Sequence, residues 1–283
     1  MIPIKILTGR FFIYYMNRYK IATERLMSGK LSTKVALVTG SSSGIGRAAV
    51  LAFARERAAF VAVHYARNAE AAQAVVREIE ALGTKSVAIQ ADLAKGKDAT
   101  DSLWEQFKAA AIAATGELSL DILVNNAGVA PAASLMETSE PLFDEIVAVN
   151  VKAPFFLIQA AADHIRDNGR IINISTGFTR VAAPTHPAYA ASKGAVETLT
   201  LALAPEFGRR GITVNTVMPG VTETGMNASW ITIPEARAQA EALSVFSRVG
   251  QPNDVADIIA FLASSEARWT TGQVIDATGG ARL

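Results

Sequence analysis

Tyr189 and Lys193 stand four residues apart in Tyr189-Ala190-Ala191-Ser192-Lys193. The Ala-rich stretch predicts a helix over 190–207, and residues four apart on a helix share one face. A phenol with a pKa of about 10 is a poor acid or base at neutral pH. A cation about 4 Å away, at an effective dielectric of about 20, stabilises the phenolate by up to about 4 kcal/mol, or about three pKa units. The expectation is a Tyr189 poised near neutrality, where general acid–base catalysis is most effective. The same spacing also occurs on surface helices, so the pair needs company before it means chemistry.

A second candidate is the run Thr39-Gly40-Ser41-Ser42-Ser43-Gly44-Ile45-Gly46-Arg47, between the apolar Val35–Val38 and the helical pattern of 48–57. Glycines there allow a tight turn and a close backbone approach to a ligand. The new helix offers free N–H groups and a positive dipole end to a pyrophosphate. A carboxylate about 20 residues further on would hold a ribose 2′-hydroxyl. Here Phe60–Tyr65 runs instead into Ala66-Arg67-Asn68, with no acid before Glu70. Arg67, with Arg47, offers planar donor forks suited to a phosphate; two solvated surface arginines are the plain alternative.

These groups need a frame. Short β-branched runs (35–38, 60–65, 86–90, 121–125, 170–175, 212–217 and 273–276) alternate with Ala-rich helical stretches such as 69–82. Such alternation predicts an α/β fold: one doubly wound parallel sheet of about seven strands with helices on both faces. The pattern runs without a Pro/Gly/Ser linker, giving one domain over 34–283 and an extension over 1–33.

The 283 residues are half apolar and 19% charged, which suits a large core and excludes disordered and collagen-like chains. No 18-residue stretch is free of charge, so no membrane-spanning helix is expected. The absence of cysteine removes disulfides and thiolate metal sites and fits a reducing, cytoplasmic setting. His64, His164 and His186 lack ligand spacing, and no metal is expected. Six Lys/Arg against one Glu fall in residues 1–33, leaving 21 against 25 in the body. That acidic body argues against nucleic acid as a partner.

Taken in order, Thr39-Gly40-x-x-x-Gly44-x-Gly46, Asp92, Asn125-Asn126-Ala127-Gly128, Asn150, Tyr189-x-x-x-Lys193 and Pro219-Gly220 resemble the short-chain dehydrogenase/reductase family over about 32–281. The flanking texture looks most like its 3-oxoacyl-carrier-protein reductase branch. The resemblance implies a Rossmann-type fold, a homotetramer or homodimer, and hydride transfer between a nicotinamide and a carbonyl or secondary alcohol, with a 3-oxoacyl thioester or similar ketone as substrate, free or carrier-bound. Tyr189 would pass the proton, Lys193 would lower its pKa and grip the nicotinamide ribose, and Asn150 would hold a water linking Lys193 to solvent. The implied dinucleotide site comprises Gly40, Ser42, Ser43, Gly44, Ile45, Gly46, Arg47, Arg67, Asn68, Asp92, Leu93, Asn126, Ala127, Gly128, Tyr189, Lys193, Pro219, Gly220, Val221 and Thr224. Asn126 could equally tie neighbouring strands.

The family's substrate-polarising hydroxyl is usually a serine thirteen residues before the tyrosine, where this chain has Thr176. Ser175 precedes it, and adjacent strand residues face opposite sides, so Thr176 is the expected catalytic hydroxyl. Position 43, often basic in NADP-dependent members, is serine. NADP is still expected, resting on Arg67, Asn68 and Arg47, with NAD as the alternative. The competing activities are an NAD-dependent alcohol or sugar dehydrogenase and a non-catalytic nucleotide-sensing scaffold. The segment from Val221 to about Phe246 is expected to select the substrate, and Arg166, Arg209 and Arg210 could form a basic patch for an acidic carrier. The extension, with Phe11-Phe12-Ile13-Tyr14-Tyr15 among basic residues, reads as a membrane-surface or partner-binding segment, or as the product of an early start codon, since Met27 stands where this family usually begins.

Overall fold

In a computed structural model, residues 29–281 are described; of the expected extension over 1–33, residues 1–28 lie outside them. Seven parallel strands form one sheet in the order β3-β2-β1-β4-β5-β6-β7. They are β1 Val35–Val38, β2 Phe60–Tyr65, β3 Lys85–Gln90, β4 Leu120–Asn125, β5 Ile165–Ile174, β6 Thr213–Pro219 and β7 Val274–Ala277. Every residue of β1 and β4 is buried, as strands covered by helices on both faces must be. β1 pairs with β2 on one side and β4 on the other. The strand order reverses there, leaving the crevice at the carboxyl ends where open α/β sheets take their ligands.

The helices are α1 Gly44–Arg55, α2 Ala69–Ala81, α3 Lys97–Thr115, α4 Glu140–Val147, α5 Ala153–Ala161, α6 Pro187–Gly208, α7 Ala228–Ile231, α8 Pro234–Glu241 and α9 Pro252–Ala263. Phe53 of α1, Ile79 of α2 and Ile259 of α9 pack on one face of the sheet. Phe107 of α3, Leu157 of α5 and Phe207 of α6 pack on the other. Leu31 is fully buried in the first of these cores, so packing against the domain reaches back to that residue. No helix among the described residues is long and apolar enough to cross a membrane.

Three boundaries differ from the sequence expectation. The first helix begins at Gly44 rather than near 48, because its two glycines supply the opening turn despite their low helix propensity. The Tyr189 helix begins at Pro187, where the missing proline N–H costs nothing. β5 begins at Ile165, because its pairing with β4 shifts register between Leu120 and Ile122 and passes Asn168 at φ +61°. That bulge hides five strand residues behind a charged, Gly-containing sequence.

Candidate active site

The glycine turn is built by contacts that leave no room for side chains. A Cβ on Gly46 would lie 2.5 Å from Asn126 Nδ2 and 2.6 Å from the Gly40 carbonyl oxygen. Gly40 sits at φ +63°, with its would-be Cβ 2.9 Å from Ala127 Cα. Asn126 Nδ2 donates to the carbonyls of Thr39 and Gly40 at 2.8 and 3.0 Å. Thr39 Oγ1 accepts from the N–H groups of Asn126 and Ala127, both at 3.0 Å. The turn after β1 is thereby clamped to the turn after β4, and Asn126 serves as that tie.

Ser42 is half-buried, Ser43 is exposed, and Gly44 to Gly46 open α1. The Ser43 side chain makes no capping bond, so the first-turn N–H groups face outward with the positive end of the helix dipole. Gly44 approaches Thr224 across a cleft of about 460 Å³ that Arg47 and Glu223 also line. A backbone this close to an opposing loop, with uncapped first-turn N–H groups and glycine at 44 and 46, fits a pyrophosphate.

The adenosine end is more mixed. Arg67 and Asn68 are exposed after β2. Asn68 Oδ1 accepts from Ala71 N at 2.9 Å, capping α2, so its oxygen is engaged in the fold. Arg47 does not stand free for a phosphate as expected. Its Nη2 donates to both carboxylate oxygens of Glu78 of α2, at 2.9 and 2.6 Å. That pair is well exposed on both sides and is therefore weak enough to exchange partners. Asp92 caps the single turn Leu93–Lys95 through Ala94 N, and Leu93 is buried beneath it.

At the other end of the crevice α6 carries Tyr189, Ser192 and Lys193, all buried. A buried polar chain holds α6 to the sheet: Asn125 Nδ2 donates to Asn173 Oδ1, Asn173 Nδ2 to Thr200 Oγ1, and Thr200 meets Thr216, each at 2.7 to 2.8 Å. Asn150 lies in a π-helical turn, Ala148–Lys152, of the kind often found at functional sites. Its amide accepts from Val129 N and donates to Val129 O and Ser192 Oγ, at 2.9 to 3.0 Å. The Asn150 side chain therefore ties the loop after β4 to α6.

The pKa of Tyr189 differs from expectation. Burial pushes the phenol above its ordinary value, with only the Thr176 hydroxyl opposing. Lys193 Nζ is turned to the Ile174 carbonyl at 2.8 Å, and burial lowers this ammonium to about 8. Desolvation of the phenolate outweighs the help from the Thr176 hydroxyl. Tyr189 is thus a protonated phenol at neutral pH.

Thr176 faces that phenol, whereas Ser175 Oγ donates to Glu197 Oε1 at 2.6 Å. Phe178 and His186, absent from the sequence expectation, surround the Tyr189 ring. Phe178 stands edge-on at 6.3 Å between centroids and His186 at 6.4 Å. Gly128 presents its open face to Lys193 Nζ and Asn150 Oδ1, and Gly220 abuts Thr278, where a Cβ would lie 2.7 Å from the carbonyl oxygen. Pro219 closes β6, and Val221 and Thr224 follow on the loop facing α1.

Of the three arginines expected as a basic patch, Arg209 is exposed and makes no ion pair among the described residues, while the other two are paired. Arg166 is paired with Glu117 and Asp121, and Arg210 with Asp167.

With the fold and site in view, the comparisons assign a class. The family model described as Enoyl-(Acyl carrier protein) reductase matches residues 40–282. An uncharacterised oxidoreductase of Methylorubrum extorquens is 42% identical, covering 89% of this chain and 99% of its own. Versicolorin reductase 1 of Aspergillus parasiticus is 39% identical, covering 89% and 97%. Among solved structures, the angucycline C-6 ketoreductase LanV with bound NADP is 46% identical with a TM-score of 0.85, covering 89% and 96%. LugOII, a promiscuous reductase that catalyses keto-reduction at C1 during lugdunomycin biosynthesis, is also 46% identical, with a TM-score of 0.86 over 90% and 100%. The chain belongs to the short-chain dehydrogenase/reductase family and is an oxidoreductase.

Proposed function

We propose that this protein is an NADPH-dependent reductase of cyclic, planar ketones, converting a ring carbonyl to a secondary alcohol. The carrying observation is Tyr189, a buried phenol kept in its acid form with the Thr176 hydroxyl and two aromatic rings around it. A phenol with a second hydroxyl beside it suits carbonyl reduction, in which one group gives a proton and the other a hydrogen bond to the same oxygen.

When bound in the crevice, NADPH would supply the hydride for the carbonyl carbon. The glycine turn and the α1 N-terminus would hold the pyrophosphate, Arg67 the 2′-phosphate, and Lys193 with Gly128 the nicotinamide ribose. Thr176 donates a hydrogen bond to the carbonyl oxygen, stabilising the charge that develops there. Tyr189 gives its proton to that oxygen, leaving the alcohol. Lys193, brought down to about 8 by burial, is the next proton source one helical turn away.

The planar-ketone reading draws on the ring pair Phe178–His186, 5.3 Å between centroids, and on relatives named for versicolorin and angucycline reduction. It takes precedence over the 3-oxoacyl thioester suggested by the sequence texture. Exposed Leu201 on α6 and Phe261 on α9 support self-assembly as a homotetramer or homodimer. The test is a panel of fused-ring ketones, acetoacetyl thioesters, simple sugars and secondary alcohols with both cofactors. Fastest NADPH consumption on the fused-ring ketones is expected. Fastest turnover of an alcohol with NAD would replace this reading with that of an oxidative dehydrogenase.

A further inference from the structure

His64 sits near the end of β2, 2% exposed, where three strand ends meet. Its Nδ1 accepts from the Gly40 N–H at 2.9 Å, inside the glycine turn. Its Nε2 lies 2.9 Å from the Ala91 carbonyl oxygen, at the end of β3 and next to Asp92. Because Gly40 N–H can only donate, Nδ1 must be the acceptor, and Nε2 must carry the hydrogen given to Ala91. One neutral tautomer satisfies both neighbours; the doubly protonated ring would aim a hydrogen at the Gly40 N–H.

The backbone repeats this link. Ser41 N donates to the His64 carbonyl at 2.9 Å, and His64 N donates to Ser41 Oγ at 3.1 Å. Ser41 Oγ in turn donates to Val38 O at 2.7 Å. The imidazole therefore spans from the turn proposed for the pyrophosphate to the Ala91–Asp92 segment at the adenosine end of the crevice. A buried aliphatic side chain at this position would fill the space but leave the Gly40 N–H and the Ala91 carbonyl without these partners.

We propose that His64 is a positioning residue that sets the spacing between the phosphate cradle and the Ala91–Asp92 segment at the adenosine end of the dinucleotide site. This rests on the proposed dinucleotide reading. It acts through Gly40 and Ala91 and touches neither substrate nor the reacting atoms. Its effect falls on cofactor affinity, while the hydride and proton steps occur at Tyr189, at the other end of the crevice.

Three variants separate the two bonds. His64→Asn places an amide oxygen near the Nδ1 position and keeps the acceptor for Gly40. His64→Gln reaches the Nε2 position and keeps the donor for Ala91. His64→Leu keeps neither. NADPH dissociation constants by fluorescence titration, KM for NADPH and for a fused-ring ketone, kcat, and thermal midpoints are measured for all four proteins. His64→Leu should weaken NADPH about tenfold or more, the effect of losing hydrogen bonds to buried groups. Its kcat and ketone KM should stay within about threefold of wild type. His64→Asn should recover most of the affinity even where its thermal midpoint is no higher than that of His64→Gln.

Equal NADPH affinity in all four proteins would overturn the proposal, as would losses that follow thermal midpoint alone. If His64→Leu fails to fold, the Asn-against-Gln comparison decides by the same criterion. A wild-type protein that binds no NADPH would instead defeat the dinucleotide reading itself, so the two failures are distinct.

Discussion

Ser175 and Thr176 are neighbours in the chain, yet their hydroxyls belong to different environments. Ser175 Oγ donates to Glu197 Oε1 at 2.6 Å, while Thr176 faces the Tyr189 phenol. Thr176→Val keeps the shape and removes the donor. It should lower kcat by roughly 10²–10³-fold, the scale of one lost oxyanion-type donor. Thr176→Ser should stay active, and Ser175→Ala should cost far less in kcat. Steady-state kinetics of the three variants check this ranking.

Arg67 is exposed after β2 and makes no ion pair among the described residues, whereas Arg47 is held by Glu78. Arg67→Asp should move preference from NADPH towards NADH, because the new carboxylate repels a 2′-phosphate and accepts from a 2′-hydroxyl. The ratio of kcat/KM for the two cofactors should fall at least tenfold. Arg47→Ala should change that ratio less.

Gly46 tests the cradle itself. An alanine Cβ would meet Asn126 Nδ2 at 2.5 Å and the Gly40 carbonyl at 2.6 Å, one of them backbone that cannot swing away. Gly46→Ala should destabilise the fold by about 1–3 kcal/mol, the usual cost of overpacking, and weaken NADPH binding at least tenfold. Denaturant unfolding and cofactor titration read the two effects separately.

His64 also predicts a pH dependence of stability. Burial lowers its pKa from 6.5 to about 4. The unfolded chain therefore takes up this proton first as the pH falls. The contribution is fully present above about pH 6.5 and is lost on descending to about pH 4, up to about 3 kcal/mol. Urea unfolding of wild type and His64→Asn at about pH 7.5 and pH 4.5 isolates it. The wild type should lose more stability than the variant over that interval.

The sheet was legible in the sequence because strands buried on both faces are written as continuous apolar runs, as in Val35-Ala36-Leu37-Val38. The first half of β5 was not, since Arg166, Asp167, Asn168 and Gly169 lack an apolar strand pattern and form the bulge where the pairing with β4 shifts register. The Tyr189–Lys193 spacing was visible, but not the state of the phenol, because burial is a property of the whole fold and reverses the expected direction. Arg47 illustrates the same limit: its partner Glu78 lies 31 residues away on another helix. His64 carried no local signal, since its two partners come together only when β1, β2 and β3 are aligned. Phe178 and His186 likewise acquire meaning only by surrounding Tyr189.

Reduction by proton transfer from Tyr189 is tested most directly by Tyr189→Phe, which removes the hydroxyl and leaves the ring. Single-turnover oxidation of bound NADPH by a fused-ring ketone, followed by absorbance, should slow by at least 10²–10⁴-fold, the contribution typical of a general acid. NADPH affinity should stay within about threefold of wild type. A Tyr189→Phe protein that oxidises NADPH at near wild-type rate would contradict the account.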